Sequence, residues 1–219
     1  MIVDDHSITT VEELARVYPP TDVTDRTANS ACLLDVHLAY LRKSPIVVVG
    51  SGAPQGLDVS PRGGEAGFVH ALDRYTLAMP DFPGNNKIET LRNLVTDNRI
   101  SLLFLFPGLD VTMRVTGCAS IVRDPDLLQL LAVQGKKPIS TVVVKVLAVD
   151  VSLQSGLLAA GIWEPANYLE RASLPSPGEI INALLFASSK PPGEIEAILE
   201  RVRSAGLYDE VASKVTPPR

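Results

Sequence analysis

The sequence predicts an α+β fold, mainly an antiparallel β-sheet or barrel, with helices flanking it at the N- and C-terminal ends of the chain. Short apolar runs bounded by glycine and proline follow one another between residues 46 and 122. They are spaced too tightly for the crossover helices that connect parallel strands. Residues 139–149 are rich in β-branched side chains and contain Lys145 as their one charged residue, which is typical of a central strand.

Helical patterns come first along the chain. An acidic first turn after Thr10 predicts a short helix that ends before Pro19. Residues 31–41 carry leucines on one helical stripe, and residues 86–95 form a second amphipathic pattern. Residues 124–131 predict a further short helix.

The strand predictions rest on alternation and on turn residues. Strands are predicted at residues 46–49, 57–59, 68–71, 76–79, 101–106, 111–121 and 139–149. Within 111–121 apolar and polar side chains alternate, and Arg114 belongs to the polar set. Arg114 is therefore expected to face away from the apolar side of the sheet.

The chain of 219 residues is long enough for one elaborated domain rather than two full ones. We expect residues 1–164 to form the barrel domain together with the N-terminal helices. Residues 165–219 are expected to form a helical extension, because prolines there separate helical patterns at 179–187 and 194–205.

Composition argues against several classes of partner. The net charge of -5 and the pI of about 5.2 leave no broad cationic surface for a polyanion, so we expect no nucleic-acid partner. No apolar segment approaches the roughly 18 residues that span a bilayer, so we expect no membrane partner. Cys32 and Cys118 stand far apart in apolar patterns typical of buried thiols. Two such cysteines make no disulfide framework, which fits a reducing compartment. The expected location is therefore the cytoplasm.

Other site motifs are incomplete. Gly50, Gly52 and Gly56 follow an apolar strand as in a dinucleotide-binding fingerprint, but the spacing is one residue too long and another strand follows at once. A hairpin turn is the better interpretation of these glycines. The three histidines share no metal-ligand spacing, and Ser51 does not stand in a nucleophile elbow. We therefore expect neither a metal site nor hydrolase chemistry.

Anion-binding chemistry is concentrated between Leu57 and Asn93. A serine hydroxyl and an arginine guanidinium are followed by two glycines that let a ligand approach the backbone. The next predicted helix begins with two asparagines and a lysine. A lysine at a helix N-terminus is electrostatically unfavourable, which indicates a compensating anion. These residues are Ser60, Arg62, Gly63, Gly64, Asn85, Asn86 and Lys87. Together they predict a phosphate held between a strand end and a helix N-terminus.

Three motifs, in this order, resemble those of the pyridoxamine 5'-phosphate oxidase-like flavoproteins: DVSPRGG, MPDFPGNNKIETLRNL and LFPGLDVTMRVTGCASI. The resemblance covers residues 30–163 and is to the FMN-dependent subgroup whose substrates are unassigned. It implies a split β-barrel that forms a homodimer, with an FMN site in each of two clefts at the subunit interface. The antiparallel barrel predicted from the strand pattern agrees with that fold.

The resemblance also implies which residues hold the cofactor. The serine and arginine of DVSPRGG and the polar residues of GNNKIETLRN would gather around the FMN phosphate and ribityl chain. Arg114 would point toward the same cleft, and the tryptophan of GIWEP would lie beside the flavin or line the substrate cavity. The expected cofactor-binding residues are Ser60, Arg62, Gly63, Asn85, Asn86, Lys87, Arg92, Arg114 and Trp163.

Each candidate also has a purely structural interpretation. Arg62 would be a surface arginine beside a turn, and Asn86 would only cap its helix. Arg92 would pair with a glutamate three residues earlier, and Arg114 would be an exposed cross-strand charge. Trp163 would pack in the core. Charged residues on loops are disproportionately functional, which favours the ligand interpretation for Arg62.

The segment before Trp163 departs from the family pattern. Many relatives carry a His-Cys pair followed by a lysine or arginine there, whereas this chain reads VSLQSGLLAAG. Ser152, Gln154 and Ser155 would leave a more neutral cavity, and no catalytic side chain is identifiable. The leading hypothesis is an FMN-dependent oxidoreductase that acts on an unidentified small molecule. The alternatives are a non-catalytic flavin- or haem-binding protein on the same barrel, and a barrel with an empty site that scaffolds a complex.

Overall fold

The computed structural model describes residues 7–18, 29–54, 56–83 and 88–175, together with residues 180 and 183. The strands are β1 Ile46–Ala53, β2 Gly56–Gly63, β3 His70–Asp73, β4 Thr76–Asp81, β5 Arg99–Leu105, β6 Val111–Val122 and β7 Ser140–Leu153. The helices are α1 Val11–Val17, α2 Asp35–Leu41, α3 Glu89–Thr96, α4 Pro125–Leu130 and α5 Ser155–Ala160. Two short 3-10 turns, Pro165–Asn167 and Arg171–Ser173, follow α5.

All of these strands belong to one antiparallel sheet. Their order is β2-β1-β5-β6-β7-β4-β3, so β2 and β3 are its two edges and backbone hydrogen bonds do not close it into a ring. Most connections are short, and β1 with β2, β3 with β4 and β5 with β6 form hairpins. The predicted α+β fold of the split-barrel type, mainly antiparallel, is confirmed.

One face of the sheet carries the hydrophobic core. Its fully buried side chains on the central strands are those of Val47, Val49, Leu102, Phe104, Met113, Val115, Val142, Val144 and Val149. The register between β6 and β7 shifts between Thr116 and Gly117, which leaves Leu147 without a partner in β6. Such a bulge bends the strand and increases its twist. The bulge therefore curls the sheet around its core.

Helix α3 is fastened to the hairpin of β1 and β2. The Thr90 hydroxyl donates to Oδ2 of Asp58 at 2.7 Å, and the buried amide of Asn93 donates to Oγ of Ser51 at 3.2 Å. The helix begins at Glu89, and its N-terminal cap has no side-chain hydrogen bond. The helix thus starts later than the predicted residue 86, and its cap is not an asparagine.

Strand β2 is longer than the sequence pattern predicted. The prediction ended the strand at residue 59 and placed Arg62 beside a turn, whereas β2 continues to Gly63. Pro61 does not end the strand because β2 is an edge strand, where a missing backbone N–H can be tolerated. Ser60 and Arg62 are consequently strand residues, which corrects the prediction of a loop position.

The predicted division into residues 1–164 and 165–219 stays a prediction. Residues 165–175 follow α5 with the two 3-10 turns. The helix predicted at 194–205 lies outside the described residues. Of the helix predicted at 179–187, residues 180 and 183 are described, and both are helical.

His37 is buried at the N-terminus of α2. Its Nδ1 atom accepts a hydrogen bond from the backbone N–H of Leu34 at 3.1 Å, so the ring satisfies a donor that the helix leaves free. Burial lowers the pKa of His37, and a hydrogen bond with the backbone of Cys32 opposes this shift in part. The neutral ring is therefore the form that the fold uses.

We expect the free energy of unfolding to decrease as the pH falls below the ordinary histidine pKa of 6.5. The folded-state pKa of His37 lies below its unfolded value, so the unfolded chain takes up the proton first. Stability that is present above pH 6.5 is then lost as the pH falls through the folded-state pKa. Urea denaturation against pH should show a flatter profile for His37→Gln, while His70→Gln, at an exposed position, should match the wild type. An unchanged profile in His37→Gln would contradict this role.

Candidate functional site

A cleft of about 950 Å³ opens where the end of β2 faces the end of β4. Three segments and one further residue form its described walls. The segments are Arg62 and Gly63 with the loop 64–68, residues 80–83, and the turn 133–137 that precedes β7, and the further residue is His70 at the start of β3. Its volume falls in the range of small-molecule and cofactor sites. The cleft is therefore a candidate for the predicted phosphate site.

Arg62 enters this cleft from the inner face of β2. It pairs in register with Val47, a core residue, and Ser60 shares its face two residues earlier. Nη1 of Arg62 lies 3.9 Å from Oδ1 of Asp81, and the two side chains are 27% and 25% exposed. Strands β2 and β4 are not neighbours in the sheet. The ion pair therefore bridges the two sides of the split barrel at the mouth of the cleft.

The Arg62 guanidinium has N–H groups that are free to donate hydrogen bonds to a ligand. Its separation from Asp81 exceeds the roughly 2.7–2.9 Å of a charge-assisted hydrogen bond, and within the described residues it donates no hydrogen bond. Burial raises the pKa of Asp81, while the positive charge of Arg62 opposes that shift. The positive charge of Arg62 thus favours the ionised form of Asp81, and an incoming anion would compete for the same guanidinium.

The loop after β2 depends on two of its glycines. A Cβ on Gly64 would lie 2.8 Å from Cβ of Phe68, so the bare glycine lets that ring pack beside it. Gly67 has a φ of +84° and a backbone oxygen of Arg42 3.1 Å from the place of its Cβ, a conformation that favours glycine. Gly63 and Gly64 both line the cleft, and their predicted role in letting a ligand approach the backbone stays a prediction.

Three predicted residues lie away from this cleft in the single chain. Arg114 is on the outer face of β6, 54% exposed, with Nη2 3.5 Å from Oδ2 of Asp150. Trp163 follows α5, and its Nε1 donates to the backbone oxygen of Leu109 at 2.9 Å. Arg92 is exposed on α3. The described walls of the cleft include none of the three, and they do not include Ser60 either, so the cofactor contacts of all four residues stay predictions.

Asn85, Asn86 and Lys87 lie outside the described residues. The chain on both sides of them is described: Pro83 lines the cleft, and α3 begins at Glu89 beside the β1–β2 hairpin. The structure therefore places one end of this segment, Pro83, at the cleft, and the role of its three polar residues stays a prediction.

The sequence analysis missed the two lysines of the turn before β7. Lys136 and Lys137 line the cleft together with Gln134. The available signal was a glycine followed by two consecutive lysines between a predicted helix and a predicted strand. Their proximity to Arg62 depends on the curl of the sheet, which local pattern does not reveal.

Within the part of the chain that the structure describes, there is neither a cluster of metal ligands nor a helix that could span a membrane. No group of three or more histidine, cysteine, aspartate or glutamate residues there could hold a metal ion. The described helices are all too short or too polar to cross a bilayer.

A family model described as pyridoxamine 5'-phosphate oxidase matches residues 33–155. The matched segment begins before α2 and ends after β7, so it contains every strand of the sheet. Comparison with curated protein sequences gave no match.

Several solved structures are similar to the chain. HupZ of Group A Streptococcus is 12% identical, with a TM-score of 0.44 over 53% of this chain and 92% of that chain. A Clostridium acetobutylicum protein related to general stress protein 26 of B. subtilis, of the pyridoxinephosphate oxidase family, is 16% identical, with a TM-score of 0.42 over 53% and 84%. An FMN-binding protein from Syntrophomonas wolfei subsp. wolfei is 12% identical, with a TM-score of 0.41 over 52% and 84%.

Proposed function

Because the chain belongs to the pyridoxamine 5'-phosphate oxidase family, we propose that it binds FMN, with the phosphate group in the cleft beside Arg62. The observation that carries this proposal is the part-buried Arg62 guanidinium, which borders the cleft and has unused donors. A phosphate matches that fork, and each charge-assisted hydrogen bond contributes about 1.5–3 kcal/mol. Ser60, on the same face of β2, would add a hydroxyl donor, and Asn86 and Lys87 would add donors from the loop before α3.

The activity that fits this cofactor is oxidation or reduction of a small molecule. Bound FMN supplies hydride or electron transfer, while the protein binds the phosphate, orients the ring and excludes water. We therefore propose an FMN-dependent oxidoreductase that works in the cytoplasm.

A homodimer is part of the proposal. Leu57 and Val59, on the outer face of edge strand β2, are 91% and 70% exposed, and Leu153 at the end of β7 is 82% exposed. Large apolar side chains on a sheet edge favour association with another chain. A second copy would cover them, and its Arg114 and Trp163 would then be available to complete the cofactor site. Light scattering should give a mass in solution of twice 23.5 kDa.

The cofactor can be identified directly. We expect purified protein to be yellow and to release FMN when it is denatured, as chromatography of the released flavin would show. Flavin-free protein should gain thermal stability when FMN is added, because a ligand that binds only the folded state stabilises it. A colourless protein that neither binds FMN nor gains stability would contradict the proposal.

A flavin carrier without turnover is the second candidate function. In the segment that departs from the family pattern, Nε2 of Gln154 donates to Oγ of Ser152 at 2.8 Å, and that hydroxyl lies 3.5 Å from Oδ2 of Asp150. These polar groups hydrogen-bond to one another and present no histidine or cysteine, although Oδ1 of Asp150 is buried without a hydrogen-bond partner among the described residues. Anaerobic mixing of the flavin-loaded protein with NADH or NADPH, followed by air, tests for a nicotinamide-linked reductase, whose flavin would bleach and recover. A flavin that stays oxidised would count against that reductase and would be compatible with a carrier or with an oxidase that takes electrons from its own substrate.

A further inference from the structure

The turn before β7 has a strained and defined geometry. Val133 and Lys136 exchange two backbone hydrogen bonds, of 3.0 and 2.9 Å, around Gln134 and Gly135. Both central residues have positive φ, 49° for Gln134 and 77° for Gly135, as in the tight turns of two-residue hairpins. Positive φ is uncommon for a residue other than glycine, and this type of turn requires it at both central positions. The turn holds Lys136 at its end and Lys137 directly after it.

The backbone also fixes these lysines beside the Arg62 ion pair. The N–H of Ile139 donates to the backbone oxygen of Asp81 at 2.8 Å, and Asp81 pairs in register with Ser140. Asp81 in turn lies 3.9 Å from Arg62. Lys137 is therefore two residues from a backbone contact with Asp81, and both lysines line the same cleft as Arg62.

Lys136 and Lys137 add positive charge to the described walls of the cleft. Asp81 offsets the charge of Arg62, and Glu65 adds a further negative charge to the wall. A phosphate monoester carries about -1.5 to -2 at neutral pH. Among the described residues, no carboxylate lies within ion-pair distance of Lys136 or Lys137. Within the described walls, Lys136 and Lys137 of the turn thus supply the unpaired positive charge that a phosphate dianion needs.

We propose that Lys136 and Lys137 belong to the phosphate-binding group of the cleft and act together with Arg62. The inference rests on the proposed binding of FMN and adds two residues to the site. The lysines would neutralise the phosphate that Arg62 alone, with Asp81 beside it, does not neutralise. Their contribution is specific to the phosphate, because riboflavin offers the same ring and ribityl chain without that charge.

The test compares FMN with riboflavin on flavin-free protein by fluorescence titration. Lys136→Ala/Lys137→Ala is expected to weaken FMN binding at least tenfold and to change riboflavin binding less than twofold. Lys136→Arg/Lys137→Arg should restore most of the FMN affinity. Lys145→Ala, at an exposed position of β7, is the matched control and should bind both flavins as the wild type does. Thermal melts of each variant show whether it is folded.

Two outcomes would overturn the inference while leaving the proposed function in place. In the first, the wild type binds FMN and the double alanine variant binds it equally well. In the second, the variant loses affinity for FMN and riboflavin alike, which would assign the turn a purely structural role. Lys136→Gln/Lys137→Gln repeats this comparison with uncharged side chains that are longer than alanine. If the wild type itself binds no FMN, the proposed function and the inference fail together.

Discussion

Arg62→Ala is expected to weaken FMN binding at least tenfold, about 1.4 kcal/mol. The substitution removes the guanidinium fork from the cleft and also leaves Asp81 without its partner. An unpaired carboxylate would then repel the phosphate, so the loss should exceed that of a single hydrogen bond. Equilibrium titration of flavin-free protein with FMN measures the effect, and riboflavin, which lacks the phosphate, should lose much less affinity.

Two further variants separate the contributions. Asp81→Asn in the Arg62→Ala background should recover part of the FMN affinity, because it removes the repelling charge. Arg99→Ala is the control, since Arg99 forms its ion pair with Asp97 in an exposed position away from the cleft. FMN affinity that is equal in the wild type and Arg62→Ala would return Arg62 to a structural role, as a bridge between β2 and β4.

Gly117→Ala is expected to destabilise the sheet strongly, by about 3 kcal/mol. A Cβ at this position would overlap the backbone carbonyl oxygen of Lys145 and would come within 2.9 Å of Cγ1 of Val144. The obstacle is backbone rather than the end of a flexible side chain, so β6 and β7 would have to separate at the bulge. Urea denaturation should show a lower midpoint with a similar slope.

Gly50→Ala provides the control for this effect. Gly50 also lies in the sheet, in β1, but a Cβ there would meet Ser101 at ordinary contact distances of 3.7 and 3.8 Å. Its stability should therefore stay close to that of the wild type. A Gly117→Ala variant as stable as Gly50→Ala would mean that the bulge is not the tightly packed bend described above.

Local pattern predicted most of the fold. The alternation around Arg114 predicted its outer face correctly, because side-chain direction in a strand follows from a period of two. The end of β2 was missed because Pro61 resembles a strand terminator, and whether a proline is tolerated depends on the strand being an edge. Whether β2 is an edge strand depends on the order of the strands in the sheet, and the residues around position 61 do not indicate it.

Less of the candidate site than of the fold could be predicted from the sequence. Ser60, Arg62 and Gly63 could be found because donors and glycines stand close together in the chain. Asp81 lies close to Arg62, and the lysines of the turn share its cleft, because the sheet curls until β2 and β4 face each other. Such contacts join segments that are distant in the sequence. They depend on bends of the sheet, which short sequence motifs do not predict.

A crystal structure of the protein saturated with FMN would test the phosphate cleft most directly. We expect the phosphate group within hydrogen-bond distance of the Arg62 guanidinium, in the cleft that also contains Lys136 and Lys137. Flavin bound elsewhere, such as on the outer face of the sheet beside Arg114, with this cleft left vacant at saturating FMN, would contradict the proposed site.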